Sequence, residues 1–408
     1  MGAGLVLVGA AGALLLLLTL IDVFVTVFNY DGFTFIADRF HHLLWRALRG
    51  SSTVLPARQR GAFLSLTASS MLPATIALWL GLEITAFAMM YLPGVAGGDF
   101  VLKHHLPLGA GTSFYLSGGA ITSLVFGDVE AKTALYGALT TLETIVGLGT
   151  LTLALTYVLT ALGVLNHIDR LHGRVRRNAE DPERPSSVLT RHFRSPSTSQ
   201  LPGLLQALTD DLDRYDQGLR RYPVVYYFHT RRIERSLPRV FAALGELIAL
   251  ACWGLPSDEP LTDDPSLRAL SRQYLMTMER MERSLTHHPP RKLPPPVAEE
   301  EFWQARRGER HDPGVEAFGE LETEARCSAG LPHRPEIADG GGDAAHVYRR
   351  YREWLAFAER RRSFVDGVAR SLGYEQRPEP PDVPALVEGR NHSTAETDIA
   401  RVGPGPAG

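Results

Sequence analysis

Three stretches of the chain are apolar for longer than the roughly 20 residues a helix needs to cross a bilayer. Leu5 to Phe28 carries one charge, Asp22; Ala62 to Leu92 carries one, Glu83; Thr133 to Val164 carries one, Glu143. Apolar runs of this length, without the one-sided stripe of a surface helix, predict three transmembrane helices. No basic residue precedes the first run, and the run is longer than a signal core, so it reads as a retained helix. After Asn166 the pattern changes to helical periodicity with polar faces, over Leu204 to Arg221, Val224 to Gly254, Ser266 to Thr286 and Ala344 to Leu372. Pro238 is expected to end or kink the second of these. Pro182 to Pro202, rich in Pro, Ser and Arg, reads as a linker. Pro290 to Gly342 and the tail after Glu375 are too rich in Pro, Gly and charge to predict ordered elements.

Average composition hides this division. A net charge of −3 and 21% charged residues suit a soluble protein, yet of 42 Lys and Arg only Arg39, Arg46, Arg49, Arg58, Arg60, Lys103 and Lys132 precede Asn166. Arginines between the first two apolar runs, and Arg170, Arg174, Arg176 and Arg177 after the third, put both regions in the cytoplasm by the excess of positive charge on inner loops. The amino terminus is then outside, the protein multi-pass in the cell membrane and the charged half cytoplasmic. Cys252 and Cys327 have no metal-ligand spacing around them. The charged half shows no Gly-x-Gly-x-x-Gly after a strand, no nucleophile motif, no metal cluster and no phosphate loop, so neither an enzyme, a bound cofactor nor a nucleic-acid partner is expected. No apolar run carries arginines at every third position, which excludes the usual voltage sensor. The runs Arg231-Arg232 and Arg360-Arg361-Arg362 read as solvated faces, with contact to anionic lipid as the alternative. His104 and His105 read as part of a solvated outer turret.

The outer connection before the third apolar run contains Ser113 to Asp128, SFYLSGGAITSLVFGD. It begins as a short apolar helix and ends at Phe126-Gly127-Asp128, where the chain must turn back. A half-crossing helix followed by an extended strand is tolerated at membrane depth only if its backbone is buried in protein or lines a wet cavity. Thr122, Ser123, Leu124, Val125, Phe126, Gly127 and Asp128 follow the pattern Thr-Thr-Leu/Val-Gly-Tyr-Gly-Asp of potassium-channel filters, in which backbone carbonyls replace the hydration shell of the ion. The chain therefore resembles the prokaryotic potassium channels with a two-helix pore domain. Tyr136 to Tyr157, with Leu142-Glu143 and Gly147-Leu148-Gly149, is similar to their inner helix. Asp22 to Gly32 resembles the extra amino-terminal helix of a bacterial branch, and Tyr227-Phe228-His229 to Arg235-Ser236-Leu237-Pro238 resembles that branch's cytoplasmic region.

The resemblance implies an all-α membrane protein with three transmembrane helices, a re-entrant pore helix and filter, and a helical cytoplasmic region. It divides the chain into 1–61 (first helix and amphipathic segment), 62–165 (pore domain), 166–203 (linker), 204–374 (helical cytoplasmic domain) and 375–408 (tail). Function follows as a homotetrameric cation channel in membrane lipid, with K+ as the permeant ion passing through Thr122 to Gly127. Val125 departs from the pattern, because the glycine usual there takes left-handed backbone angles that a β-branched residue resists. Weak discrimination against sodium is the expected consequence. A non-conducting sensor or scaffold that keeps the pore fold is the alternative. Gly147 reads either as a gating hinge or as a point of close helix packing. Glu143 either lines the cavity or hydrogen-bonds behind the pore helix, through Thr122 or another hydroxyl. Asp22 and Glu83, the other intramembrane acids, read as hydrogen-bonding groups between helices.

Overall fold

Helices carry almost all of the chain described by the computed structural model, which covers residues 3–28, 36–103, 106–124, 127–181, 184–194, 200–285, 295–331 and 344–374. In order these are α1 (Ala3–Phe28), α2 (Ile36–Ser52), α3 (Ala57–Gly97), strand β1 (Phe100–Leu102), α4 (Ala110–Ile121), strand β2 (Val129–Ala131), α5 (Ala134–Asn178), α6 (Ser187–Arg194), α7 (Leu201–Arg221), α8 (Leu237–Ala249), α9 (Pro265–Ser284), α10 (Glu299–Arg306), α11 (Pro313–Ala329) and α12 (Ala344–Leu372).

Among the described residues, four helices are long and apolar enough to cross a membrane: Ala3–Phe28, Gln59–Gly97, Ala134–Asn178 and Leu237–Gly254. The fourth was not among the expected spans. It differs from the others in being 78% buried inside the protein, against 17%, 39% and 28% for the first three, and so is already covered by protein.

Two expectations about the second half are corrected. The Val224 to Gly254 periodicity is not one helix: Pro223–Tyr227 forms a 3₁₀ turn, Ile233–Arg235 a second, and α8 begins only at Leu237. Pro238 therefore stands in the first turn of a helix, where its missing N–H breaks no bond, rather than at a kink. Pro290 to Gly342 was expected to hold no ordered element, yet α10 and α11 lie within it. Asp312 caps α11 by accepting from Val315 N–H at 3.0 Å, Pro313 follows at the first helical position, and Gly330 closes the other end at φ 65°. Phe302 and Phe318 are fully buried, which supplies the stability that local composition does not.

The chain divides into two compact units. The first comprises Met1–His172, Leu208–Leu237 and Arg370–Tyr374. Here α1 lies close against α3: a Cβ added at Gly12 would stand 2.6 Å from the Ala86 carbonyl oxygen, so only glycine permits the approach. Leu16, Phe87, Tyr91, Phe100 and Tyr136 form a buried cluster, with Phe100 and Tyr136 rings 4.9 Å apart. The amphipathic α2 buries His41 and Trp45; a nitrogen of His41 lies 2.6 Å from the Thr75 hydroxyl of α3. Burial pulls the His41 pKa down to about 4, so this pair is a neutral hydrogen bond. The later turns of α7 pack on the end of α5, where Gly218 meets Val164 and Tyr157 meets Tyr222 with ring centres 5.6 Å apart.

The second unit comprises Gly173–Ala207, Pro238–Ala369 and the chain from Glu375. Its centre is α8, which runs on as a π-helical turn over Leu250–Gly254. A π turn leaves carbonyls without their regular partners, and Arg350 of α12 donates to two here, Trp253 O at 2.6 Å and Leu255 O. Tyr274 of α9 donates to Phe241 O at 2.8 Å, and Arg306 pairs with Glu322 at 2.5 Å between α10 and α11.

Candidate functional site

The connection from α3 to α5 is built around α4. Twelve residues of helix span about 18 Å, a little over half of the hydrocarbon core. At that length α4 packs along part of α3 and α5. Its residues explain the docking. Ser117 is fully buried and donates to Glu143 Oε1, while its hydroxyl also lies 3.0 Å from Ile84 O on α3. Tyr91 of α3 donates to Glu143 Oε2 at 2.7 Å. One buried carboxyl on α5 thus joins three helices. Of the two readings of Glu143, hydrogen bonding behind the short helix is the observed geometry, and the hydroxyl is that of Ser117. Thr122 instead turns back on its own helix, donating to Gly118 O at 2.7 Å.

Two further points of α5 meet the end of α4, at the residue after Glu143 and one turn along. Thr144 donates to Ala120 O at 3.1 Å. At Gly147 an added Cβ would stand 2.5 Å from Ile121 Cγ1 and 2.6 Å from Ile121 O. Close approach to the end of α4 is therefore what the structure demands of Gly147.

Residues 122–124 differ from the extended strand expected after the helix. Ser123 N–H bonds to Ala120 O at 3.1 Å and Leu124 N–H to Gly119 O at 2.8 Å, the paired bonds of a Schellman cap. Ser123 occupies the left-handed position of that cap, with φ 58°, where glycine is usual. Left-handed backbone costs a non-glycine residue about 1 kcal/mol. S123G is accordingly expected to raise the unfolding midpoint of the purified protein, by the equivalent of about 1 kcal/mol; an unchanged or lowered midpoint would show that the assembled protein does not use this turn.

Val125 and Phe126 lie outside the described residues. The loop resumes at Gly127, at φ 69°, which glycine adopts without strain. Tyr115 on α4 donates to Asp128 Oδ2 at 2.9 Å. Lys103 N–H donates to Asp128 O at 2.8 Å, and β1 and β2 pair antiparallel with Phe100 opposite Ala131, Val101 opposite Glu130 and Leu102 opposite Val129. Both ends of the loop are thereby held, one by the cap of α4 and the other by a two-stranded ribbon. The last carbonyls of α4 are taken up locally: Gly118 O by the Thr122 hydroxyl, Gly119 O and Ala120 O by the cap, and Ala120 O also by Thr144 of α5.

Asp22 and Glu83 are fully buried and each bridges helices. Asp22 accepts from Ile36 N–H at 2.8 Å and from the Trp79 indole at 3.0 Å, fixing α1 to α3 and to the start of α2. Glu83 accepts from Thr150 at 2.6 Å, joining α3 to α5. The sequence reads both acids as hydrogen-bonding groups between helices without identifying the donors, which are an indole, a backbone amide and a hydroxyl.

Over 247 residues the chain is 22% identical to the uncharacterized membrane protein YdjJ of Bacillus subtilis (strain 168), a similarity spanning 60% of this chain and 70% of that protein. No family model matches the chain, and no solved structure matches it. The similarity and the long apolar helices agree in making this an α-helical membrane protein.

Proposed function

We propose that the chain forms a tetrameric cation channel whose conducting loop is residues 122–127. The observation that carries this reading is the short helix α4, tied to α3 and α5 through Glu143 and followed by a segment held by the cap of α4 on one side and by Tyr115 on Asp128 on the other. Preorganised backbone carbonyls beside a helix C-terminus suit a partly dehydrated cation. One chain supplies one such loop, so closing a ring around an axis requires several copies, four in the potassium-channel pattern. The surface of α5 favours assembly. Leu148, Leu151, Leu155, Leu159 and Leu162 are exposed in the single chain, and Thr152, Thr156 and Thr160 form a four-residue-spaced row of exposed hydroxyls among them. Leucines suit neighbouring copies or lipid, whereas a hydroxyl row suits a wet cavity.

In this reading three helices, α1, α3 and α5, cross the membrane, and the arginines flanking them hold the second half of the chain in the cytoplasm. Potassium is the principal permeant ion, with weak rejection of sodium because of Val125. A second reading, a scaffold that keeps the pore fold without conducting, is favoured by one observation, the closed turn at Ser123.

Purified protein in liposomes under a potassium gradient separates the two. Barium-sensitive flux together with crosslinking that stops at four chains is the expected result. A monomer or dimer in membranes removes the channel reading, and tetramers without flux leave the scaffold.

A further inference from the structure

A cleft of about 460 Å³ in the first unit lies far from the loop described above. Its walls are Ser65 near the start of α3, Leu165, Ile168 and Asp169 late in α5, and the irregular segment that follows the 3₁₀ turn Pro223–Tyr227. Ser65 precedes Ile84, the α3 residue that meets α4, by nineteen positions, about 28 Å of helix. The cleft is therefore almost a hydrocarbon thickness from α4, at the opposite boundary of the apolar bundle.

Its chemistry is cationic over an apolar floor. Arg231, Arg232 and Arg235 line it and are exposed, and among the described residues none of the three reaches a carboxylate at ion-pair distance. Asp169 is the acid in the lining, so positive charge is in excess. Leu165, Ile168 and Leu237 supply the apolar part. Among these side chains stands His229, more than nine-tenths buried, with its Nδ1 lacking a hydrogen-bond partner among the described residues. A buried ring nitrogen without a partner costs free energy that a ligand atom would recover. The ring is held in place: it stacks on Tyr374 at 4.1 Å, and the Tyr374 hydroxyl accepts from Thr230 N–H at 3.1 Å. Burial draws the His229 pKa down to about 4, so the ring is neutral near pH 7 and Nδ1 is free to donate to or accept from a ligand oxygen.

We propose that this cleft binds a phosphate-bearing anion, with Arg231, Arg232 and Arg235 on the phosphate oxygens and His229 on a neighbouring oxygen. Guanidinium forks match phosphate geometry. An anionic phospholipid headgroup and a soluble phosphoester share this chemistry, and the site at the end of the membrane helices is reachable by both.

The test uses the full chain in mild detergent and reads the unfolding midpoint, independently of any conduction. The probes are dioctanoyl phosphatidylglycerol, dioctanoyl phosphatidylcholine and inorganic phosphate. A saturable rise with phosphatidylglycerol and none with the other two supports a lipid headgroup; a rise with inorganic phosphate as well supports a soluble phosphoester. In either case R231Q/R232Q/R235Q, all exposed positions that fold without these charges, weakens binding about a hundredfold, at about fivefold per arginine. H229F, which keeps the ring and removes its nitrogens, weakens it severalfold. No rise with any probe overturns the proposal. So does a triple variant that binds as the parent does, or an equal loss in R283Q, which removes an arginine outside the cleft.

Discussion

Removing the Glu143 carboxyl is expected to release α4 from the bundle. In E143A the acceptor shared by the Ser117 and Tyr91 hydroxyls is gone, leaving Ser117 the Ile84 carbonyl oxygen at 3.0 Å and Tyr91 only a long contact of 3.4 Å with the Thr140 hydroxyl. Hydrogen bonds between membrane helices contribute about 0.6 kcal/mol on average and up to about 1.7, so losing two, with a void left behind, costs about 2 to 3 kcal/mol. The unfolding midpoint in detergent should fall by several degrees, and crosslinked oligomers should become less abundant. E143Q is the control. Its amide offers an acceptor to one hydroxyl and a donor to the other, so it should cost under about 1 kcal/mol. The pair of variants separates the two roles considered for this residue. A structural acceptor predicts that glutamine rescues what alanine loses. If instead both variants are as stable as the parent and both lose cation flux, the charge itself matters and Glu143 serves the cavity.

The sequence made the apolar runs and the half-helix legible because both depend on local pattern: length, an absence of charge, and an aromatic-Gly-Asp ending just before a long helix. What it hid depended on rotation and distance. Thr122 was a named partner for Glu143 because it neighbours the motif, but which hydroxyl faces α5 is fixed by the angle at which α4 docks, and that angle selects Ser117 one and a half turns earlier. Asp22 has no basic residue at its depth, and of the two aromatic residues of α3 able to donate, Trp79 and Tyr91, the sequence alone does not select Trp79. Residues 208–237 carry helical periodicity and polar faces, so they read as part of one cytoplasmic domain; their contacts with α5, through Gly218 and Tyr222, join residues more than fifty positions apart.

Local signals were also misweighted. In the Pro290 to Gly342 stretch, average composition outweighed a complete set of helix punctuation, with Asp312 as cap, Pro313 at the first position and Gly330 beyond the end. Pro238 by itself reads as a breaker within a helix, but together with Pro223, fifteen residues earlier, it delimits the irregular segment that walls the cationic cleft. The turn at Ser123 was invisible for another reason. Serine is not a residue from which left-handed backbone is inferred, and the filter resemblance argued for an extended strand from Thr122 onward.

G147A is expected to be strongly damaging for a single added methyl group. The added Cβ meets the Ile121 carbonyl oxygen at 2.6 Å, and that oxygen is backbone at the end of α4, so relief requires moving either α4 or α5. Overpacking of this kind costs about 1 to 3 kcal/mol. It also displaces the point from which the loop departs, so flux should fall further than stability does. Gly149 provides the comparison on the same helix, since a Cβ there meets nothing within 4 Å. G149A should be neutral or stabilising by up to about 1 kcal/mol through helix propensity alone. Unfolding midpoints and barium-sensitive flux of the two variants distinguish packing from hinge. Packing predicts that only G147A is destabilised and that a smaller residue at 121 does not restore it, because the clash with the carbonyl persists. A hinge predicts the reverse: G147A as stable as the parent, with open probability changed by both substitutions because each stiffens the same stretch of α5.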